Sequence, residues 1–280
     1  MKNTIEQFIE DLVLEIKETN EIAYQLLKNQ NEVASCNFIA RTTGVVSGTK
    51  VAELVFKKIN PKINYTILKK DGEYINRGDV ICVITGPMHD ILRGEKLALN
   101  FLRYMSGIAS GVAKYKAELQ GLDSKLLYSG HAAPNLEVFA ESAFISGGGI
   151  LSEEYKNKTL VSLNVATRFD TYQEAIDKIK EIDRNTKIIL EVSDTIAFEE
   201  AYQTIAPIIR VVSNKENIIN NCSIINQNKK VLEILSEIDL KRVRSIAKMG
   251  YSYIIIPSLS DASKSLPIDL CFYKRVRKIK

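Results

Sequence analysis

The sequence predicts an α/β protein whose second half consists of repeated βα units around a mostly parallel sheet. Apolar runs recur at similar intervals, at residues 160–165, 187–192, 207–212, 230–235 and 251–257. Helix-like segments lie between consecutive runs, and the links are short. Strands that alternate with helices in this way form a parallel sheet buried on both faces. The regular succession of units is also compatible with closure into a barrel.

Two helix boundaries in this half carry local signals. Asp170 and Gln173 have the spacing of a capping box at the start of one helix. Gly250 closes the helix-like segment 239–249, where a glycine commonly ends a helix. Both signals support helices between the predicted strands.

The first half predicts a strand, a turn and a helix. Within residues 37–60, Val51, Leu54, Val55 and Ile59 lie at helical spacing. The strand precedes them, and a glycine-containing turn separates the two elements.

A compact β module follows at residues 65–87. Its Asp71-Gly72 and Gly78-Asp79 pairs are turn signals between short strands. We expect this module to be structural.

Residues 90–120 form the strongest predicted helix, with a broad apolar stripe. One part of the helix is unusually rich in small residues: Ser106, Gly107, Ala109, Ser110, Gly111 and Ala113. A glycine inside a helix costs roughly 1 kcal/mol relative to alanine, so two of them indicate a close neighbour. That neighbour could be another helix, a ligand or a second subunit.

Composition bounds the class of protein. The chain has 280 residues, 45% of them hydrophobic and 26% charged, which predicts one large domain or two intimate ones. The net charge is +4, and the basic excess lies largely in the last ten residues. We expect a solvated terminus there rather than a nucleic-acid or membrane contact.

The cysteines and the opening segment indicate a cytoplasmic protein. Cys36, Cys82, Cys222 and Cys271 are far apart and have no histidine at metal-ligand spacing, which argues against a zinc site or a disulfide framework. Residues 1–20 read as an amphipathic helix rather than a signal peptide. No window has the length and apolarity of a membrane span.

Residues just past the carboxyl ends of parallel strands are the candidates for chemistry. Asp194, Ser213, Asn214 and Ser260 have this placement, but each also precedes a helix-like run and reads as a helix cap. Glu191 differs because it lies inside an apolar run, where a carboxylate costs several kcal/mol unless it is paired or solvated.

Other candidates are less distinctive. Glu233 lies in a second apolar run and poses the same question with less support. For each of the two histidines, His89 and His131, we favour a local hydrogen bond over catalysis.

Three consecutive glycines at 147–149 could wrap an anion. The surrounding stretch, 126–155, holds four glutamates and neither lysine nor arginine. The glycines alone therefore do not establish an anion site.

Several motifs together resemble one family over nearly the whole chain. They are IARTTGVVSGTKVAELVF, KKDGEYINRGDVICVITGP, GEKLALNFLRYMSGIAS, the glycines at 147–149, LEV at 190–192 and LPIDLCF near the end. This pattern is similar to quinolinate phosphoribosyltransferases, also called carboxylating nicotinate-nucleotide pyrophosphorylases. Molybdenum-transport-associated paralogues and nicotinate phosphoribosyltransferases belong to the same wider group.

The resemblance implies an N-terminal α/β sandwich joined to an incomplete, TIM-like α/β barrel. The sandwich would cover residues 1–115 and take back a returning strand from 268–280, with the barrel at 116–267. It also implies a homodimer in which each site is completed by the partner, which would account for the small residues of the long helix.

The same resemblance implies a reaction. Family members join quinolinate to phosphoribosyl pyrophosphate with magnesium, and release pyrophosphate and carbon dioxide. Both substrates carry several negative charges, so the site requires a cluster of cations. Magnesium offsets only part of that charge.

Several positions where the family carries a cation hold another residue here. The family's Thr-Arg-Lys-Thr-Thr-Pro matches residues 129–134, which read Ser-Gly-His-Ala-Ala-Pro. Its Asn-His-Arg falls on Leu151, Ser152 and Glu153. A further lysine falls near Leu163. Each lost charge-assisted contact is worth about 1.5–3 kcal/mol.

Two further positions differ and two match. The metal-linked aspartate falls on Ser213, and the Gly-Gly phosphate loop falls on 236–237, which read Ser-Glu. Lys96 stands where the family has an arginine contributed across the dimer, and Glu191 matches an acidic pocket residue. Lys156, Lys158 or Arg168 could restore the anion site only by moving into it.

Three hypotheses follow. The chain is a diverged family member that binds a less anionic small molecule, an inactive homologue that acts as a binding or regulatory partner, or an enzyme that keeps the quinolinate reaction. The partner is a small molecule in a homodimer, or in an assembly with a paralogue. No cofactor is expected to bind tightly, and Mg²⁺ enters only if a phosphoribosyl donor is used.

The predicted site contains one catalytic residue, Glu191, and no metal ligand. In that role the Glu191 carboxylate would support an oxocarbenium-like sugar transition state electrostatically. The predicted substrate-binding residues are Lys96, His131, Gly147, Gly148, Gly149 and Ser213.

Overall fold

The computed structural model of this chain describes residues 2–18, 32–151, 158–226, 229–261 and 264–276. Expectations that rest on residues between or beyond these ranges lie outside the described part. They concern Ser152, Glu153, Glu154, Lys156, the side chain of Lys158, and the basic residues Arg277, Lys278 and Lys280.

Dense internal contacts divide the chain into two units. The first, here called the N-terminal unit, comprises Met1–Ala113, Ala132–Gly148 and Asp261–Lys280. The second, the C-terminal unit, comprises Lys114–His131 and Gly149–Ser260. The domain boundary expected near residue 115 stays a prediction.

The helices and strands alternate along most of the chain. The helices are α1 Lys2–Glu18, α2 Thr49–Ile59, α3 Met88–Glu118, α4 Glu137–Ser146, α5 Leu163–Ala166, α6 Tyr172–Ile182, α7 Thr195–Gln203, α8 Glu216–Asn226, α9 Leu240–Lys248 and a 3₁₀ turn at Pro257–Leu259. The strands are β1 Val33–Ala40, β2 Gly44–Val45, β3 Asn64–Ile67, β4 Tyr74–Ile75, β5 Val80–Pro87, β6 Lys125–Leu126, β7 Lys158–Val161, β8 Lys187–Val192, β9 Ile208–Val212, β10 Val231–Leu235, β11 Tyr253–Ile255 and β12 Ile268–Val276.

The N-terminal unit contains a four-stranded sheet in the order β12-β1-β5-β3. Its neighbouring strands are antiparallel. The last strand, β12, pairs along β1, so the predicted return of the C-terminal strand to the first sheet is confirmed. A short antiparallel pair, β2-β4, completes the predicted β module.

The predicted turns and the predicted helix of this unit are present. Gly72 and Gly78 have φ values of 91° and 94°, which favour glycine at these turns. Helix α2 buries Val55 and Ile59 as expected. Its buried face is rotated slightly, however, and includes Phe56.

The small residues of α3 contact segments of the same chain. The Ser106 and Ser110 hydroxyls accept hydrogen bonds from the backbone N–H groups of Ser47 (3.0 Å) and Val45 (2.9 Å). A Cβ on Gly107 would lie 2.4 Å from the Lys264 carbonyl oxygen. Intramolecular packing therefore accounts for Ser106, Gly107 and Ser110, and the homodimer stays a prediction.

The C-terminal unit contains a six-stranded sheet in the order β6-β11-β10-β9-β8-β7. All of its neighbouring strands run parallel. Four of the predicted apolar runs contain the strands β8 to β11, and β6 is an additional short strand. The run at 160–165 was predicted as a strand and is one only in part: β7 ends at Val161, and residues 163–165 belong to α5, which Ser162 caps by accepting from Val165 N–H at 3.4 Å. The open α/β barrel with one end at β6 and the other at β7 agrees with the predicted fold class.

One helix cap in this unit, that of α6, differs from the expected pattern by one residue. The α6 cap is Thr171, whose Oγ1 accepts from Glu174 N–H at 3.1 Å, while Glu174 Oε2 accepts from Asp170 N–H at 3.0 Å. The predicted pair of Asp170 and Gln173 was therefore wrong by one position. Gly250 follows α9 with φ of 93°, as predicted.

All four cysteines are free, as expected. In the part of the chain that the structure describes, no helix is long and apolar enough to cross a membrane. The cytoplasmic location stays a prediction.

Gly107→Ala should destabilise the protein. The new methyl group would overlap the Lys264 carbonyl and approach Ser265 Cα at 3.0 Å, and overpacking of this kind costs about 1–3 kcal/mol. Chemical denaturation measures the free energy of unfolding. Asn100→Ala, an exposed position on α3, is the control and should cost nothing. Equal stability of the two variants would contradict the close approach.

Thiol reactivity should separate the cysteines. Cys36, Cys82 and Cys222 are buried, and burial raises the pKa of each thiol to about 12. They are therefore protonated and inaccessible near neutral pH, whereas Cys271 is half-buried. Titration with dithiobis-nitrobenzoate should detect one thiol rapidly in the native protein and four in denaturant. Rapid reaction of two or more native thiols would contradict this burial.

Candidate active site

The carboxyl ends of the parallel strands meet at one edge of the C-terminal sheet, and polar residues follow them. Asp194 caps α7, because its Oδ1 accepts from Ala197 N–H at 2.9 Å, as predicted. Ser213 instead closes a turn before α8, with its Oγ accepting from Lys215 N–H at 3.2 Å. Ser260 was expected to cap a helix and instead ends the 3₁₀ turn.

A buried charge cluster crosses three adjacent inner strands of this sheet, β8, β9 and β10. Arg210 on β9 is the direct cross-strand neighbour of Glu191 on β8 and of Glu233 on β10. Arg210 Nε donates to Glu233 Oε2 at 2.8 Å, and Arg210 Nη1 lies 3.6 Å from Glu191 Oε1. The exposed fractions of the side chains are 11% for Arg210, 13% for Glu191 and 0% for Glu233. We call these three residues the ERE cluster.

The ERE cluster explains how two carboxylates occur within apolar strands. Alternate residues of a strand point to opposite faces, so the cluster shares one face while Leu190, Val211 and Ile234 are buried on the other. An unpaired carboxylate in such a place would be expensive. Pairing with Arg210 supplies the compensation that the apolar runs require.

Sequence reasoning singled out Glu191 and Glu233 but missed Arg210. The sequence contains a signal for Arg210, because a charged residue lies inside each of three consecutive apolar runs: Glu191, Arg210 and Glu233. In parallel strands of matching register, such residues become lateral neighbours. The register itself could not be read from the separate runs.

Glu191 has two further contacts. Its Oε2 accepts from the Leu163 backbone N–H at 3.3 Å, and its carbonyl oxygen accepts from Tyr172 Oη at 2.8 Å. Burial, together with the carboxylates of Glu200, Asp194 and Glu191, raises the pKa of Tyr172 to about 12. The phenol is therefore a protonated donor near neutral pH that fixes the end of β8.

A cavity of about 280 Å³ adjoins Leu163 and Tyr172 at this edge. Its lining includes the carboxylates of Asp170 and Glu200 and the Ser193 hydroxyl. None of the described residues that line it is a lysine or an arginine. The charged residues among those that line it, Asp170 and Glu200, are both acidic.

His131 lies in the loop after β6. Its backbone N–H donates to Ser129 Oγ at 3.1 Å, and Ser129 Oγ lies 2.7 Å from Ser260 Oγ. The imidazole ring is exposed. The local hydrogen bond that we favoured thus involves the backbone, and substrate binding by the ring stays a prediction.

The glycine run has a structural role at the end of α4. The N–H groups of Gly147 and Gly148 donate to the carbonyls of Ala143 (3.0 Å) and Ile145 (2.8 Å). A Cβ on Gly147 would lie 2.5 Å from the Ala109 carbonyl oxygen, and Gly148 has φ of 89°. The amides of Gly147 and Gly148 therefore bind carbonyl oxygens of their own helix and do not point toward a ligand. Substrate binding by residues 147–149 stays a prediction.

Lys96 is exposed on α3 in the N-terminal unit. It borders a surface depression together with Glu95 and Arg103, and partial burial raises the pKa of Glu95. Glu191 and Gly149 belong to the C-terminal unit. The predicted participation of Lys96 in one pocket with Glu191 is therefore untested.

Three carboxylates of this part of the sheet are already hydrogen-bonded or paired. Glu191 and Glu233 contact Arg210, and Glu237 accepts from Ser258 N–H at 3.0 Å and from its hydroxyl at 2.5 Å. No group of three histidine, cysteine or acidic side chains suited to a metal occurs among the described residues. This donor set does not fit a resident Mg²⁺, and no step is assigned to one.

Comparison with known proteins identifies related sequences across both halves of the chain. A sequence model of the quinolinate phosphoribosyl transferase N-terminal domain matches residues 21–106, and the model of the C-terminal domain matches residues 108–271. The chloroplastic carboxylating nicotinate-nucleotide pyrophosphorylase of Arabidopsis thaliana is 22% identical over 253 residues, which cover 83% of this chain and 72% of the relative. Quinolinate phosphoribosyltransferase [decarboxylating] 1b of Nicotiana tabacum is 23% identical over 259 residues, with 85% and 73% covered.

Solved structures have the same fold. The nicotinate-nucleotide pyrophosphorylase of Ehrlichia chaffeensis superposes with a TM-score of 0.89 at 23% identity, covering 95% of this chain and 98% of the other. The corresponding protein of Francisella tularensis gives 0.89 at 22%, covering 98% and 97%. At this level of identity the likeness shows the fold alone, and it confirms the predicted sandwich and open barrel.

Removal of the buried cation should be costly. Arg210→Met leaves Glu191 and Glu233 together without their shared counter-ion, and breaking a buried pair costs about 3–5 kcal/mol. Lys178→Met is the control, because Lys178 pairs with Glu181 at the surface, where such pairs contribute about 1 kcal/mol or less. Urea denaturation compares the two. Equal losses would contradict the charge compensation assigned to Arg210.

Proposed function

The chain belongs to the quinolinate phosphoribosyltransferase family, and from this premise we propose that it binds a small molecule less anionic than the family's substrates. The site lies at the carboxyl edge of the parallel sheet. The ERE cluster is the observation that carries the proposal. The charge of its buried cation, Arg210, is compensated by two carboxylates. Quinolinate and phosphoribosyl pyrophosphate are polyanions and would require positive charge that is not already compensated.

The surroundings of the cluster support the same direction. Asp170 and Glu200 line the adjoining cavity, and the edge adds Asp194 and Glu237. Ser213 replaces the family aspartate, and a backbone N–H from Leu163 contacts Glu191 where the family carries a lysine nearby. A dianionic pyridine would meet net repulsion, whereas a neutral or singly charged one would not.

Glu191 is the proposed central residue. Its carboxylate retains slight exposure, and its orientation is set by Arg210, Leu163 and the Tyr172 contact to its carbonyl. If a sugar is transferred, this carboxylate is placed to favour positive charge developing at the sugar carbon. Magnesium would then be held chiefly by the phosphates of the donor.

We infer in addition that the chain assembles with a second subunit. The family resemblance suggests a homodimer, or an assembly with a paralogue, in which the exposed Lys96 serves a neighbouring site. Lys96 is a suitable cation for such a role because it is solvent-accessible on α3. Packing of the small residues of α3 does not bear on the dimer.

Retention of the quinolinate reaction is the second candidate. It is favoured by the match of both family domains over residues 21–271 and by relatives whose names state this activity. Arg168, exposed just after α5, is a cation described near the same edge. In this case Arg168, with Lys156 or Lys158, would supply the missing positive charge.

A series of pyridines separates the two candidates. Quinolinate, nicotinate and nicotinamide carry two, one and no carboxylates on the same ring. We expect the increase in melting temperature to be larger for ligands with fewer carboxylates. In calorimetry with Mg²⁺ present, neither quinolinate nor phosphoribosyl pyrophosphate should bind with a dissociation constant below about 1 mM, which corresponds to a binding free energy of about −4.1 kcal/mol. The Arabidopsis thaliana relative, tested in parallel, is the positive control.

Two outcomes decide this experiment. Release of carbon dioxide from quinolinate by the purified protein would overturn the proposal and establish the second candidate. For any ligand that does stabilise the protein, Glu191→Gln should abolish the shift while Glu199→Gln, an exposed change of the same charge, should keep it. An unchanged shift in Glu191→Gln would remove Glu191 from the site.

A further inference from the structure

We propose that Arg210 is a specificity-determining residue, a latent anion-binding cation whose charge Glu191 and Glu233 hold compensated. This inference rests on the proposed function and deepens it, because it identifies the charge arrangement, two carboxylates around one guanidinium, that excludes multiply charged anions. It concerns a residue that the family resemblance did not assign.

The two carboxylates bind Arg210 unequally. Glu233 is fully buried and accepts a short hydrogen bond of 2.8 Å from Nε. Glu191 lies 3.6 Å from Nη1, beyond ordinary hydrogen-bond length, and also faces the Leu163 N–H. Glu233 therefore anchors the guanidinium, while Glu191 compensates the side that remains partly exposed.

The formal charges determine what the cluster can bind. Two carboxylates and one guanidinium give a net charge of −1 in a region of reduced dielectric, where an additional anion is repelled. Replacement of both glutamates by glutamine keeps the size and hydrogen-bonding oxygen of each side chain and changes the net charge to +1. Arg210 would then present a planar fork of donors suited to a phosphate or carboxylate.

The position of Arg210 permits this role. Arg210 is the middle residue of β9, Glu191 is the last residue but one of β8, and each keeps about a tenth of its side chain exposed. Glu233 has no exposed surface. A small anion can therefore approach from the Glu191 side, at the same edge where the family resemblance places the substrates.

A purely structural cluster makes a different prediction. Many buried ion pairs serve packing, and their removal changes stability without creating a binding site. If Arg210 only fills space between strands, neutral glutamine partners should leave anion affinity unchanged. Anion affinity in a correctly folded variant thus distinguishes the two roles.

The experiment measures calorimetric binding of inorganic pyrophosphate at pH 7.5 and low ionic strength. Glu191→Gln/Glu233→Gln should bind it at least about tenfold more tightly than the unmodified protein, about 1.4 kcal/mol. Glu181→Gln/Glu199→Gln makes the same charge change at exposed positions and should leave the affinity unchanged. Adding Arg210→Gln to the first pair should abolish the gain, because the cation itself is removed.

Folding of each variant is checked by circular dichroism and thermal denaturation. If the double variant does not fold, Glu191→Gln alone keeps the buried Glu233 anchor, and should still increase pyrophosphate affinity several-fold. No gain in the folded variant relative to its control, or a gain that survives Arg210→Gln, would overturn the inference. The proposed function fails separately, through tight quinolinate binding or turnover by the unmodified protein.

Discussion

Compensation of charge inside an apolar parallel sheet is the constraint on which the C-terminal unit depends. Glu233 has no exposed surface, and Glu191 is nearly buried one strand beyond Arg210. The three side chains can share a face only because β8, β9 and β10 are parallel and in matching register. The same contacts allow two carboxylates to lie inside apolar strands and compensate the charge of Arg210.

Close packing is the corresponding constraint in the N-terminal unit. Ser106, Gly107 and Ser110 of α3 allow the backbone segments 44–47 and 264–266 to approach the helix. Gly147 does the same where the end of α4 meets Ala109. These small residues belong to the motifs that carry the family resemblance, and the close contacts of the unit require their small size.

Predictions based on local patterns succeeded where the residues of one short segment determine its conformation. The turns at Gly72 and Gly78 and the end of α9 at Gly250 follow from backbone conformations that glycine adopts without strain. The capping box moved to Thr171, since threonine and aspartate are both good caps and local sequence does not rank them. In the candidate site, Glu191 could be singled out from its apolar neighbours, whereas its counter-ion lies 19 positions away and is connected to it only by strand pairing.

By itself, the sequence determined the fold class, the family and the charge of the individual segments. Periodicity, glycine turns and motif order are properties of contiguous residues, so they can be recognised without knowing which distant residues are in contact. Tertiary structure alone decided that Arg210 lies between Glu191 and Glu233, that Gly147 and Gly148 direct their amides to helix carbonyls, and that α3 packs against its own chain. The physical reason is that strand register and close approach depend on residues far apart along the chain, and a one-residue change of register would have separated these charges.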